Sequence, residues 1–304
     1  MRLIKNWVLA TFILCFLVII AGGVVRTTQS GMGCPDWPKC FGKWIPPTQA
    51  SELPADFEKY LGKQDIDHSF NAWHTWIEYI NRLLGVLLGL FGIIQLLLLF
   101  AKRKSNRTAF RLGIAFLVVV ILTGLFGAIV VKLNLAHLSI SVHLLFAILL
   151  LQIQLALLLS LHDRLSSVAL PKFSSQLIII FLVLLFIQSI LGTMVRIYVD
   201  DISKALDYGQ RELWLKEHPL SFLVHRSFSW VILVGGLVLV WKNRSSLLSK
   251  QFRLLGLVLV INMTVGIVLY YAHVPAWAQP LHLLLAAVAL TQTVALVLQI
   301  RKSG

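Results

Sequence analysis

Charge is scarce in this chain. Only 13% of its 304 residues are Asp, Glu, Lys or Arg, about half the share of an ordinary soluble domain, and acids are the rarer sign, 13 against 27 bases. With 58% hydrophobic residues and a mean hydropathy of +0.83, this excludes a disordered chain and a soluble secreted protein. Cysteine is scarce as well. Three cysteines allow at most one bridge, which excludes a small disulfide-built fold. What remains is a membrane protein. In a soluble protein a net charge of +14 would suggest nucleic acid, but here it is a topology signal, helped by attraction to anionic membrane lipid, and no nucleic-acid partner is expected.

Apolar runs long enough to span a bilayer, about 20 residues, lie at Trp7–Val25, Ile77–Ala101, Leu112–Val131, Leu135–Leu161, Leu177–Val199, Leu220–Trp241, Leu254–Ala272 and Leu281–Ile300. The sequence therefore predicts an all-α polytopic membrane protein with eight transmembrane helices. Fifteen bases, from Arg2 and Lys5 to Arg301 and Lys302, fall on one side of these spans with a single acid, Asp163. Most acids, among them Asp36, Glu52, Asp56, Glu58, Asp65, Asp67, Asp200, Asp201, Asp207, Glu212 and Glu217, fall on the other. The positive-inside rule then puts both termini in the cytoplasm. The first run lacks a small-residue cleavage pattern and is longer than a signal-peptide core, so it reads as a true first span. Two long loops, Arg26–Trp76 and Asp200–Pro219, share the outer face, where a small cap would sit.

The chain contains an internal repeat. Glu78-Tyr-Ile-Asn81-Arg82 on the second span matches Phe222-Leu-Val-His225-Arg226 on the sixth. Thr123 precedes His143 by twenty residues and Thr264 precedes His282 by eighteen, while Gly22-Gly-Val-Val-Arg26 has a fainter counterpart in Gly192-Thr-Met-Val-Arg196. Each half holds an even number of spans, so the two share one orientation. The expected architecture is two pseudo-symmetric four-helix bundles, residues 1–172 and 173–304.

Ionisable side chains inside spans are functional candidates by default. His143, His225 and His282 each lie one or two turns past the outer end of an even-numbered span. A lone intramembrane histidine is commonly a hydrogen-bonded packing residue. Two at matched depth in one bundle are instead the expected axial pair for a heme iron, which selects His225 and His282. Arg82 and Arg226 follow the equivalent ligand positions by one residue, where a planar guanidinium suits a heme propionate or acts as an interfacial anchor. Glu78 has an apolar counterpart, Phe222; it reads as a proton-transfer group or as the i,i+4 partner of Arg82. Asn81 stands where the repeat places His225, and an amide is a poor iron ligand beside imidazole. His74, two turns outward on nearly the same face, could substitute or could serve the loop.

Cys34 and Cys40 share an exported loop, so a disulfide is plausible there, as is exchange with a partner thiol. Cys15 reads as packing. His68, His137, His162, His218 and His273 fall at loops or span ends with solvated or capping roles, and Gly85-x-x-x-Gly89 is a weak helix-packing signal.

Gly22-Gly-Val-Val-Arg-Thr-Thr-Gln-Ser-Gly-Met-Gly-Cys34-Pro-Asp-Trp-Pro-Lys-Cys40 resembles the first-loop signature of bacterial heme A synthases. Glu78-Tyr-Ile-Asn-Arg-Leu-Leu-Gly85 resembles that family's E-x-x-H-R motif, and the likeness extends through His143, His225-Arg226 and His282. The resemblance implies an eight-helix enzyme of the bacterial cytoplasmic membrane. It implies oxidation of the C8 methyl of heme O to the formyl of heme A by successive hydroxylations and loss of water, supplying cytochrome oxidase. It also implies a resident heme b on His225 and His282 in the C-terminal bundle, substrate heme O at His143 in the N-terminal bundle, an essential carboxylate at Glu78 and a Cys34–Cys40 pair. Heme O synthase and cytochrome oxidase assembly factors are the implied protein partners. This chain departs from the pattern at Asn81, where the family carries histidine, and in a second outer loop without cysteines.

Two rival classes make different predictions. A heme-binding electron-transfer subunit calls for complete histidine pairs in both halves and gives Glu78 nothing to do. A small-solute transporter calls for polar, broken helices near mid-membrane, whereas these polar residues lie toward the outer edge.

Overall fold

A computed structural model describes residues 1–61, 70–165 and 167–301. Asp65, Asp67, His68 and Lys302, assigned to faces from sequence, lie outside the described residues. Eight helices are long and apolar enough to cross a membrane: Arg2–Thr27, Ala72–Phe100, Arg107–Lys132, His137–Leu161, Lys172–Ala205, Leu220–Lys242, Ser249–Tyr271 and Ala278–Gln299. They are numbered here as the first to eighth spans. The protein is thus a multi-pass membrane protein, with helices because backbone groups in hydrocarbon must be satisfied within the segment. The spans keep exposed apolar side chains such as Leu83, Val86, Leu87 and Leu90 on the second, the surface a lipid solvent tolerates. A two-residue parallel strand pair, Val168–Ala169 with Ile300–Arg301, is the small departure from an all-helical reading.

The chain divides into two compact units, Met1–Leu158 and Leu159–Gly304. In the first, the second span packs on the first and third. Trp7 stacks on Phe91 with centroids 4.6 Å apart and donates its indole N–H to the Phe91 carbonyl at 3.0 Å. Glycine brings the second and third spans together: a Cβ on Gly92 would lie 3.2 Å from Phe116, and one on Gly113 would lie 2.8 Å from Leu99. Small residues permit such approaches where the hydrophobic effect gives no drive between helices. Of the Gly85-x-x-x-Gly89 pair only Gly89 meets a neighbour, Val120 at 3.7 Å. The packing stripe therefore runs from Gly89 to Gly92.

The fourth span joins this unit differently. Gln154 and Gln95 exchange amide hydrogen bonds at 2.7 and 3.1 Å, and Gln154 also donates to the Val8 carbonyl at 2.9 Å. Around this clamp Leu150, Leu151, Leu155 and Leu157 are buried. Toward the other end no residue from Ile140 to Leu149 is buried, though Phe146 still meets Phe126 of the third span with ring centroids 5.6 Å apart.

The second unit closes into a four-helix ring: the fifth span packs on the sixth and eighth, and the seventh packs on the same two. Its fifth span runs on to Ala205, well past the apolar run, and a 3-10 turn at Arg211–Leu213 follows. Trp214 is buried against Val199 and Val274, and its indole donates to the Gly209 carbonyl at 2.9 Å. Arg211 donates to the Val274 carbonyl at 3.0 Å. The acidic second loop is thereby folded into a small cap on its own unit.

Candidate functional site

In the second unit, His225 and His282 stand within the first two turns of the sixth and eighth spans. Their ring centroids are 6.4 Å apart with planes at 79°. An imidazole nitrogen binds a first-row metal at about 2.0–2.1 Å, so two imidazoles trans on one iron have centroids about 6 Å apart. Each ring lies against a glycine. A Cβ on Gly192 would stand 3.2 Å from His225 Cε1, and one on Gly266 would stand 3.3 Å from His282 Cε1. Both Nδ1 atoms are buried without a hydrogen-bond partner, and the Gln188 side chain donates to the His225 carbonyl at 3.1 Å. Among the described residues no group of three or more His, Cys, Asp or Glu converges on a metal position. Arg226, one residue on, is exposed and lies over the Phe222 ring at 5.6 Å.

His143 in the first unit has the same local setting. Gly127 faces it, with a Cβ there 3.6 Å from His143 Cε1, and its Nδ1 is buried and unpaired. Sixteen residues separate Gly127 from His143 and Gly266 from His282. This equal glycine spacing is a signal that the sequence carries and that the threonines, at unequal spacings, obscure. On the second span the Asn81 Oδ1 and Trp76 Nε1 atoms are also buried without partners.

Glu78 is 5% exposed, and its surroundings belong to the first loop. The Cys34 N–H donates to Glu78 Oε2 at 2.8 Å, and Arg82 Nε donates to Oε1 at 3.1 Å. The rest of the Arg82 guanidinium holds loop carbonyls, Asp36 at 2.6 Å, Lys39 at 3.1 Å and Cys34 at 2.7 Å. The i,i+4 pairing with Arg82 is therefore present, and it doubles as a tether for the loop. Cys34 and Cys40 form a disulfide with Cα atoms 4.8 Å apart. Asp36 closes the turn by accepting from the Phe41 and Gly42 N–H groups at 2.6 and 2.9 Å. Phe41 is buried with both cysteines beneath Leu53, Tyr60, Phe70 and Tyr79.

His74 sits in the first turn of the second span, whose N-cap, Asn71, accepts from the Trp73 and His74 N–H groups. The loop backbone lies directly on that turn: a Cβ on Gly33 would fall 2.4 Å from the His74 carbonyl oxygen and 2.7 Å from Thr75 N. Thr75 Oγ1 donates to the Gly33 carbonyl at 2.9 Å. Because the obstacle is backbone, Gly33→Ala should destabilise the protein by about 3 kcal/mol and detach the loop. Thermal unfolding in detergent together with labelling of Cys34 and Cys40 after mild reduction checks this; unchanged melting and labelling would mean that the loop docks elsewhere. Cys15 is buried, as a packing residue should be. His218, at the start of the sixth span, hydrogen-bonds the Tyr270 hydroxyl at 2.5 Å.

A family model described as cytochrome oxidase assembly protein, COX15-CtaA, matches residues 5–294. A protein of Shewanella oneidensis named heme A synthase is 31% identical over 160 residues, spanning 52% of this chain and 46% of that protein. Proteins of the same name from Orientia tsutsugamushi and Flavobacterium psychrophilum are each 24% identical over much longer alignments. These cover 95% and 94% of this chain and 94% and 95% of the relatives. With a match that runs from the first span into the eighth, the chain belongs to the COX15-CtaA family of cytochrome oxidase assembly proteins.

Proposed function

We propose that this protein is a heme A synthase, an oxidoreductase that converts the C8 methyl of heme O to the formyl of heme A for cytochrome oxidase. The observation that carries the reading is the His225–His282 pair, spaced for one iron at 6.4 Å between ring centroids in a chain of this family. Turning a methyl into a formyl removes four electrons from one carbon and adds one oxygen, which two monooxygenase-like hydroxylations, each consuming one dioxygen and two electrons from a donor, followed by loss of one water would accomplish. Heme b bound by His225 and His282 would supply one-electron chemistry. Gly192 and Gly266 admit the two rings, and the exposed Arg226 is free to hold a propionate.

In the first unit His143 would bind the substrate heme, its ring admitted by Gly127 as the rings of the second unit are by Gly192 and Gly266. Glu78 would hold and return protons during oxidation of the methyl. The Cys34–Cys40 loop and Arg82 keep that carboxylate in place and away from bulk water. The basic flanks of the spans support a cytoplasmic location for both termini and a bacterial cytoplasmic membrane as the setting. Heme O synthase and cytochrome oxidase assembly factors are the proteins it would meet there.

Expression in a host that makes heme O but no heme A tests the reading. Heme extraction and mass analysis should yield heme A, along with noncovalent heme b. Recovery of heme O and heme b without heme A, with the protein folded, would reduce the protein to a heme-binding electron carrier.

A further inference from the structure

Three histidines inside spans each face a glycine: His143 with Gly127, His225 with Gly192, His282 with Gly266. The repeat supplies a fourth glycine, since Gly22-Gly-Val-Val-Arg26 matches Gly192-Thr-Met-Val-Arg196. No atom lies within 4 Å of where a Gly22 Cβ would stand. The residue matching His225 is Asn81, and its side-chain oxygen is buried without a hydrogen bond. A polar atom buried unpaired costs about 1–3 kcal/mol, so in a functional site it signals a missing partner rather than a packing choice.

The glutamine clamp shows which way Asn81 points. Gln95 lies fourteen residues after Asn81 and Gln154 eleven after His143. At about 100° per residue, fourteen residues return to within about 40° of the starting face and eleven to within about 20°. Gln95 and Gln154 hydrogen-bond each other directly. The helix faces that carry Asn81 and His143 are therefore turned toward one another, at heights above the clamp of about 21 and 16 Å at 1.5 Å per residue. The second unit puts a second imidazole in the corresponding place, 3.2 Å from the Gly192 Cβ position; the first puts an amide, and no atom fills the space at the matching Gly22.

On the reading that the first unit takes heme O, we infer that Asn81 and Gly22 leave the iron face opposite His143 open to a diatomic ligand, with the Asn81 amide as its positioning residue. An amide binds iron poorly next to imidazole but offers a donor and an acceptor to a small bound molecule. The two units then have different roles, because one iron is closed by two histidines and the other accepts an external ligand.

Carbon monoxide is the probe, added to the reduced full-length protein carrying heme b and heme O in lipid nanodiscs. The wild type should show a high-spin fraction equal to its heme O content and bind one CO per heme O, with the low-spin heme of the second unit inert. Asn81→His should convert that fraction to low spin and weaken CO binding by about tenfold or more. Asn81→Ala should keep CO binding but shift the C–O stretching frequency as the amide is lost. A wild type whose heme O is low-spin and inert to CO overturns the inference and leaves the proposed function standing. So does an unshifted C–O stretch in Asn81→Ala, which decides the matter even where Asn81→His fails to accumulate. A folded protein that retains no heme O overturns both readings.

Discussion

Alanine at His225 or at His282 is expected to abolish the low-spin heme spectrum of the second unit, with heme retained there falling about tenfold or more. The two rings have centroids 6.4 Å apart and are each admitted by a glycine, Gly192 and Gly266. On the proposed function, either substitution would leave one histidine to hold the heme. His143→Ala should leave this spectrum intact, because its ring faces Gly127 in the other unit. Optical and electron paramagnetic resonance spectra of the three purified variants, with folding checked by circular dichroism, decide the matter. A His143→Ala protein that is folded yet lacks the low-spin signal would contradict the division of roles between the units. Gly266→Val is a graded companion: its Cβ alone would stand 3.3 Å from His282 Cε1, so the ring must tilt and the spectrum broaden without disappearing.

Glu78→Gln is expected to bind heme O and fail to convert it, with turnover down about a hundredfold or more and a hydroxylated intermediate accumulating. Glutamine keeps an oxygen for the Cys34 N–H, which now donates to Glu78 at 2.8 Å. Arg82 retains its own hold on the Cys34, Asp36 and Lys39 carbonyls. The loop therefore stays docked while the titrating group is gone. Glu78→Ala removes both functions, and the disulfide should then become easier to reduce. Mass analysis of extracted hemes reads the first effect and thiol labelling the second. Near-normal conversion by the glutamine variant would show that Glu78 is a tether alone.

The weight of Glu78 was legible from its asymmetry in the repeat, yet its setting was not. An intramembrane carboxylate four residues before an arginine suggests an ion pair from sequence alone, and that pair is present. Nothing in the local pattern says that the same arginine grips a loop more than forty residues earlier in the chain. Such contacts depend on where a long loop returns, and here Gly33 decides that by letting backbone rest on backbone at the start of the second span. Asn81 is the converse case. Its departure from histidine is visible in the sequence, but that its oxygen is buried and unpaired follows only from the packing around it.

Composition and periodicity by themselves determined the eight spans and the membrane setting. The reason is that hydrocarbon thickness and the need to satisfy every backbone group leave a run of about 20 apolar residues one conformation. They also brought His143, His225 and His282 forward, because ionisable groups in hydrocarbon are too costly to be incidental. Tertiary structure alone decided that the second unit closes into a ring while the fourth span of the first is held by a glutamine clamp. Apolar spans carry nearly the same residues on every face, so the sequence has little with which to say which faces meet. That choice rests on a few glycines, a pair of glutamines and one docked loop, whose partners are distant in the chain.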